Sequence, residues 1–450
     1  MNTSERALDR RQNLLAMLLI GAAIVIGGGG SPAAIPEMGL QIWSALMLAA
    51  WALLSPQPLP QAHRTAWFIA GLLVVLPLVQ LIPLPPALWQ QLPGRELERA
   101  ALALVGEESS WRPWSLTPAR TLASLLALIT PAIMLVFTAS LHRAGRNMVM
   151  GMIAGGALLA LIVGAGQLAG GEDNMFRFYV PDMNYLSGFQ ANHNSSADVL
   201  MIGMVAFAAV VREASERGNL IGQPAYRLSL IGGATLLFSI GVVLTASRAG
   251  TALLPVALAW VIVIVWPWLR FTRRNLMGLG LICVLAAGAA LYLVETNGVL
   301  SRVLSRYSFA GEFRPELWAD SLYAVRQYFP MGSGVGSFPH VFMAIERLEV
   351  VDTSLPNRAH NDGLELLLEG GVFGIAILGV IGTILTRKLL QGLQNPPAEA
   401  RSQVYFAAAA LSIIALHSQV DYPLRSMSLA CLAAAAAGML MPLARRRAIA

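Results

Sequence analysis

The chain has 450 residues, of which 56% are hydrophobic and 12% are charged, and its net charge is +6. Soluble domains carry about twice this charged fraction, so the composition excludes an ordinary soluble protein. A positive net charge is typical of proteins that bind nucleic acid or an anionic membrane surface. The basic residues lie mostly in short loops between apolar runs, which favours membrane topology and predicts no nucleic-acid partner.

Repeated apolar runs predict an all-α, polytopic membrane protein with about twelve transmembrane helices, because ~20 apolar residues cross the hydrocarbon core. Residues 1–450 are expected to form a single membrane domain. The first run mimics a signal peptide, but the many later spans favour a retained helix. The predicted spans are about 14–26, 40–54, 66–82, 122–141, 148–168, 198–211, 228–244, 250–269, 276–294, 364–385 and 404–416, with a twelfth that ends at Arg445.

Positive charge alternates between successive loops. The basic segments are both termini and the loops at Arg64, Arg143, Arg212, Arg270 and Lys388. The positive-inside rule places these segments in the cytoplasm, so both termini are expected inside. The outer side then receives the segments around Trp111, Asn192, Arg248, His360 and Asp421.

The longest polar segment, about 296–359, is predicted to be a periplasmic loop, or lid, between spans nine and ten. Its pattern predicts two short amphipathic helices, about 316–329 and 338–348, separated by Pro330 and a glycine-rich turn at 332–337. Such a turn can present N–H groups to phosphate. The stronger interpretation is that these glycines only form a tight turn, since no Walker A lysine follows.

The polar segment ends at His360, where the tenth predicted span begins. Asp362, Glu365 and Glu369 follow at spacings of three and four, so they share one helical face at the membrane boundary. Ionisable groups at membrane depth are costly and usually face a polar interior. Because imidazole titrates near ambient pH, His360 is the candidate general base. The alternative is an interfacial histidine at a helix start.

Arginines provide candidate anion sites. Arg248 lies in a very short break between two apolar runs, where it is either an interfacial snorkelling residue or an anion anchor that faces the bundle centre. Arg314 and Arg358 flank the lid and, with Arg302 and Arg306, could clamp a diphosphate through paired hydrogen bonds. Arg314 and Arg358, each taken alone, are better explained as solvated loop charges.

Other polar groups have simpler explanations. Residues 190–195, which include Asn192, open span six, where helix capping accounts for part of the pattern. His417 and Asp421, four residues apart, could bond each other across one turn. The chain has no metal-spaced cluster of His or Cys, so neither a metal nor another cofactor is predicted.

Together, these motifs resemble the O-antigen ligase and polysaccharide polymerase superfamily of bacterial inner membranes. The resemblance covers about 186–385. Members often show Asn-Arg-Asn-His where this chain has Asn192-His193-Asn194-Ser195. The residues that carry it are Asn357 to Asn361, Glu365 to Gly374, Gly332 to Phe338, Ser247 to Gly250, and Arg314 with Trp318.

The resemblance implies transfer of a glycan from undecaprenyl diphosphate to an acceptor hydroxyl, in the bacterial inner membrane and at its periplasmic face. His360 would deprotonate the acceptor, Arg248 and Arg314 would hold the diphosphate, and attack opposite the leaving group would invert the anomeric centre. Cationic side chains can replace a metal because the leaving group carries its own stabilised charge. The acceptor is another lipid-linked glycan, a lipid A core or a protein. The predicted substrate-binding set is Arg248, Arg314, Arg358, Asn361, Glu365 and Asn192.

Two other classes compete with this interpretation. A transporter or flippase would place ionisable residues near mid-span and show repeated halves, whereas the polar groups here gather at the outer ends of the predicted spans. A different transferase would use Glu37, Glu172 or Asp173 as its base. These carboxylates lie on the predicted outer side but have no recognisable setting.

Overall fold

The computed structural model describes residues 3–29, 34–54, 60, 62–170, 177–179, 185–218, 224–269, 313–347, 349, 351, 355–394 and 400–442. Within them the protein is mostly helical. A two-residue antiparallel pairing of β1 (Pro83–Leu84) with β2 (Arg112–Pro113) is a small departure from the all-α prediction. The helices are α1 Thr3–Ile26, α2 Ala34–Leu54, α3 Arg64–Gln80, α4 Pro86–Trp89, α5 Glu96–Ala103, α6 Pro118–Ser140, α7 Arg143–Ala169, α8 His193–Glu216, α9 Pro224–Leu244, α10 Arg248–Val265, α11 Arg314–Tyr328, α12 Phe338–Ile345, α13 Asp362–Gln394, α14 Arg401–His417 and α15 Met427–Met439, with 3-10 turns at Trp266–Trp268 and Pro423–Arg425.

Within the described residues, seven helices are long and apolar enough to cross a membrane: α2, α6, α7, α8, α9, α10 and α13. The helices α3 and α15 are shorter apolar helices. With α1 and α14, they occupy the predicted positions of every span except the ninth, 276–294, which lies outside the described residues. The polytopic membrane class is therefore confirmed, while the number of twelve spans and the sidedness stay predictions.

The core of the bundle is built around α8. This helix packs against α7, α9, α10 and α14. Of the residues in its most apolar stretch, 83% are buried. Small residues permit the close approach: a Cβ at Gly203 would overlap Ala157 of α7, and Ala197 of α8 is fully buried. Small residues at such interfaces let membrane helices pack through their backbones. The start of α8 is thus held in a rigid setting.

Two short helices pack over the start of α13. They are α11 and α12, close to the two positions predicted for the lid, whose residues 296–312 lie outside the described part. The sequence pattern predicts that Leu317, Trp318, Leu322, Val325 and Phe329 lie mostly on one face of the first of these helices. Leu317 and Val325 are buried as this predicts, but Leu322 and Phe329 are 48% and 52% exposed. Leu322 lies five residues beyond Leu317, about 140° further around the helix, so one face cannot hold both. The apolar face predicted for α11 was therefore wrong in part.

The helix α13 is broken at Gly371, where φ is 56° and ψ is −146°. The glycine-rich turn supplies hydrogen bonds at this break: Ser333 N–H donates to Leu368 O and Gly334 N–H donates to Glu369 O. After the break, Val372 N–H donates to Pro330 O. These turn N–H groups are thus used by backbone carbonyls, which favours the tight-turn interpretation over a phosphate cradle.

Replacing Gly371 with alanine is expected to lower the free energy of unfolding by about 3 kcal/mol. The backbone here is accessible to glycine but strained for alanine, and a Cβ would overlap the carbonyl oxygen of Pro330. Gly379→Ala is the matched control, because a Cβ at this position of the same helix meets no atom within 4 Å. The apparent Tm in detergent measures both variants. Equal Tm values for the two would contradict the requirement for glycine at the break.

Candidate active site

A cavity of about 300 Å³ lies where the N-terminal ends of several helices meet. It brings together residues from distant parts of the chain. Five of the seven residues predicted for the site line it: Asn192, Arg248, Arg314, Arg358 and His360. The other two, Asn361 and Glu365, do not line it.

Five helices begin beside this cavity. Arg248 and Arg314 are the first residues of α10 and α11, His193 is the first of α8, His360 lies two residues before α13, and Ser426 is the N-cap of α15. A helix N-terminus carries a partial positive charge and orphan N–H groups. The side-chain cations therefore lie among several positive helix ends, a setting that favours a bound anion.

The imidazole of His360 is held by three neighbours. Its Nδ1 lies 3.1 Å from Oδ1 of Asp421. Its ring makes edge-to-face contacts with Phe313 and Tyr422, at centroid distances of 5.3 and 4.8 Å. Because Asp421 faces Nδ1, Nε2 is the ring nitrogen left to meet a substrate.

The backbone is strained on both sides of the cavity. His360 has φ of 48° and Ala246 has φ of 54°, and these are the non-glycine residues with positive φ in the described part of the chain. Both line the cavity. Such conformations cost of order 1–3 kcal/mol each and cluster at functional sites. The strain at His360 therefore supports a role for its orientation.

Asp421 is buried behind His360. Asn194 Nδ2 donates to its Oδ2 at 2.5 Å, and the Tyr422 N–H donates to its Oδ1 at 2.9 Å. Burial would raise the pKa of Asp421, but the neighbouring imidazoles of His360 and His417 hold it below its usual value. Burial, together with the Asp421 charge, raises the pKa of Tyr422. An ionised carboxylate and a neutral phenol thus flank His360.

The expected bond between His417 and Asp421 is wrong. His417 Nδ1 instead lies 2.7 Å from Asp198, and its Nε2 lies 3.8 Å from Asp421. The chain turns sharply after α14, where the Asp421 N–H donates to the His417 carbonyl. This turn directs the Asp421 carboxylate toward His360 and Asn194.

The acidic face of α13 meets one arginine. Arg425 Nη2 lies 2.8 Å from Glu369 and 3.2 Å from Glu365, and its Nε lies 3.9 Å from Asp362. Glu365 also accepts hydrogen bonds from Arg358 Nη1, at 2.9 Å, and from the Ala359 N–H, at 3.0 Å. The predicted shared face is therefore present, and Glu365 is fully buried beneath the segment that carries His360.

The two asparagines predicted to contact substrate both cap helices. Asn361 Oδ1 accepts from the Leu364 N–H, and its Nδ2 donates to Gln419 O. Asn192 Oδ1 accepts from the Asn194 N–H, although Asn192 also lines the cavity. Capping thus accounts for the contacts of both asparagines in this structure.

Part of the chain is similar to a known protein family. Residues 233–379 match the family model described as O-antigen ligase. The predicted superfamily is confirmed. No curated protein matches the chain. The match and the apolar helices together support a multi-pass membrane enzyme that transfers glycans.

The matched region supplies only part of the candidate site. Arg248, Arg314, Arg358 and His360 lie inside the matched region 233–379. The flanking chain supplies further cavity residues, at 191–195 and at Tyr422, Arg425 and Ser426. The carboxylate on His360 thus comes from outside the matched domain.

Sequence reasoning missed Arg425 and the role of Asp421. A stripe of three acidic residues at a membrane boundary needs a buried cation, and this need was the available signal for Arg425. Of the other candidates, Arg302, Arg306, Glu172 and Asp173 lie outside the described residues. Glu37 lies in the first turn of α2. In the described part of the chain, no three His, Cys, Asp or Glu side chains are placed to hold a metal ion.

Proposed function

We propose that this protein transfers a glycan from undecaprenyl diphosphate to an acceptor hydroxyl at the periplasmic face of the inner membrane. Polymerisation of lipid-linked glycans and ligation to a lipid A core are both forms of this reaction. One observation carries the proposal: the His360–Asp421 pair shares a cavity with Arg248, Arg314 and Arg358.

His360 is the proposed general base. A carboxylate at Nδ1 favours the tautomer with a proton on that nitrogen and leaves the Nε2 lone pair free. The acceptor hydroxyl would give its proton to Nε2 as its oxygen attacks the anomeric carbon. The Asp421 carboxylate would then stabilise the resulting imidazolium, as a buried aspartate does for a catalytic histidine.

The arginines would hold the leaving group. Guanidinium groups form paired, charge-assisted hydrogen bonds with phosphate oxygens. As the bond between the anomeric carbon and the diphosphate oxygen breaks, negative charge builds on that oxygen, and preorganised cations stabilise it best. Attack from the face opposite the diphosphate inverts the anomeric centre. The helix N-termini around the cavity add to this positive field.

The acidic face of α13 would act on the site indirectly. Glu365 binds Arg358 and the Ala359 N–H, so it fixes the residues next to His360. Arg425 in turn neutralises Glu365 and Glu369. We assign Glu365 a positioning role in place of the substrate contact predicted for it.

A deletion strain tests the proposed function. Without the gene, the strain should lose its long or attached surface glycan, and a plasmid copy should restore it. Loss of a polymerase would leave single repeat units, whereas loss of a ligase would leave long chains on the carrier lipid. Unchanged surface glycan in the deletion strain would contradict the proposal.

Arg248→Ala is expected to raise the KM for the lipid-linked donor by about 10- to 100-fold, because a charge-assisted hydrogen bond contributes roughly 1.5–3 kcal/mol. Arg248→Lys keeps the positive charge but loses the paired hydrogen bonds of a guanidinium, so it should raise the KM by less. Initial rates in proteoliposomes, measured against donor concentration, give both values. Arg64→Ala is the control, since Arg64 is exposed at the start of α3. A KM unchanged in Arg248→Ala would remove this residue from the donor site.

A further inference from the structure

A row of four ionisable side chains, here called the relay, runs from the cavity into the bundle. Its members are His360, Asp421, His417 and Asp198. His360 Nδ1 lies 3.1 Å from one oxygen of Asp421, and His417 Nε2 lies 3.8 Å from the other. His417 Nδ1 lies 2.7 Å from Asp198. The last three members are 2%, 1% and 0% exposed, in that order.

The inner half of the relay does not contact the cavity. Asp198 lies in the second turn of α8 and His417 is the last residue of α14. The cavity is lined by His360 but not by Asp198 or His417. Asp421 is the member of the relay that links this inner pair to His360.

Charge balance favours a proton on His417. With both carboxylates ionised and both imidazoles neutral, the relay would bury two negative charges and no positive charge of its own, which desolvation opposes. A neutral imidazole has one N–H, whereas an imidazolium has two and can face both carboxylates. His417 lies between Asp198 and Asp421. One added proton on its ring is therefore close to both negative charges.

We propose that His417, held by Asp198, acts on His360 through Asp421, because a positive charge on His417 offsets the negative charge of that carboxylate. This inference rests on the proposed function, in which His360 is the base. A neighbouring carboxylate favours the charged form of an imidazole, and a cation on the far side of that carboxylate opposes this effect. Such a cation leaves the carboxylate in place to orient the ring.

Other ionisable groups surround the relay, among them Asp362, whose carboxylate accepts a hydrogen bond from Ser418 Oγ, next to His417. Guanidinium groups keep their charge, Glu365 is paired with two of them, and Tyr422 is a buried phenol. His193 is a further histidine in the cavity wall, and its Nδ1 lies 2.9 Å from Thr245 O. The charged and phenolic groups that line the cavity with His360 are Arg248 on α10, Arg314 on α11, Arg358 before α13, and Tyr422 and Arg425 after α14. The charge of Arg314 also acts on His417.

Deuterium exchange at the ring C2 position, followed by mass spectrometry across pH ~5–9, gives a titration midpoint for each histidine without any substrate. In the full-length protein in nanodiscs, His417→Gln should raise the midpoint of His360 by about one pH unit, because it removes a positive charge close to Asp421. His142→Gln is the matched control, since His142 caps α7 and lies outside the relay. It should leave the His360 midpoint unchanged.

A second variant covers the case in which His417→Gln does not fold. Asp198→Asn removes the group that holds the proton on His417, so it should shift the His360 midpoint in the same direction by less. A His360 midpoint that stays the same or falls in the folded variants would overturn the inference. Because no turnover is involved, a fully active His360→Ala enzyme would overturn the proposed function separately.

Discussion

His360→Ala is expected to reduce glycan transfer by about 10²- to 10⁴-fold, the usual contribution of a general base. The alanine variant cannot accept the acceptor proton at Nε2. It also loses the contact with Asp421 and both ring contacts. The measurement is the initial rate of product formation in proteoliposomes, with surface glycan in the deletion strain as an independent readout.

Two variants control for structural damage. His360→Gln keeps a polar side chain of similar size and should lose as much activity as the alanine variant. His340→Ala removes an exposed histidine on α12 and should remain active. All three proteins should insert into the membrane with equal yield. Wild-type rates for His360→Gln would show that this residue is not the base.

Arg425→Met is expected to lower the free energy of unfolding by about 3–5 kcal/mol, because removing one partner leaves buried charges uncompensated. Three carboxylates depend on this guanidinium, and two of them, Glu365 and Glu369, are fully buried. The variant should give a lower Tm in detergent and a smaller folded fraction on gel filtration. Because Glu365 also holds Arg358, activity should fall together with stability.

The comparison for Arg425→Met is Arg326→Met, which removes an exposed arginine from α11. Surface substitutions of this kind usually change stability by less than about 0.5 kcal/mol. Arg425→Lys should have an intermediate Tm, since lysine keeps the positive charge but cannot bond two carboxylates with the fixed geometry of a guanidinium. A Tm for Arg425→Met equal to that of Arg326→Met would contradict the role of Arg425 in the acidic face.

The sequence predicted those parts of the site that depend on local patterns. Spacings of three and four placed Asp362, Glu365 and Glu369 on one face, and the structure has them there. The short break at Arg248 and the helix at Arg314 place both residues at the cavity. Helical periodicity and short breaks are properties of neighbouring residues, so one sequence is sufficient to predict them.

The side-chain contacts between different helices could not be predicted from the sequence. Asp198 and His417 lie on different helices, and only the packing of α14 on α8 brings them together. The assignment of His417 to Asp421 failed because residues 417–421 form a turn that directs Asp421 elsewhere. Arg425 was missed for a similar reason, since it lies in a short 3-10 turn with no periodic pattern.

The volume of the cavity has a consequence for products of different size. About 300 Å³ corresponds to the space of roughly ten water molecules. Under the proposed function, this space suits a diphosphate and the sugar next to it, so the remainder of a long glycan would extend into open water. Such an enzyme would bind the junction between carrier and sugar, and its binding would not depend on how many repeats lie beyond this junction. Control of polymer length would then belong to another component of the cell envelope.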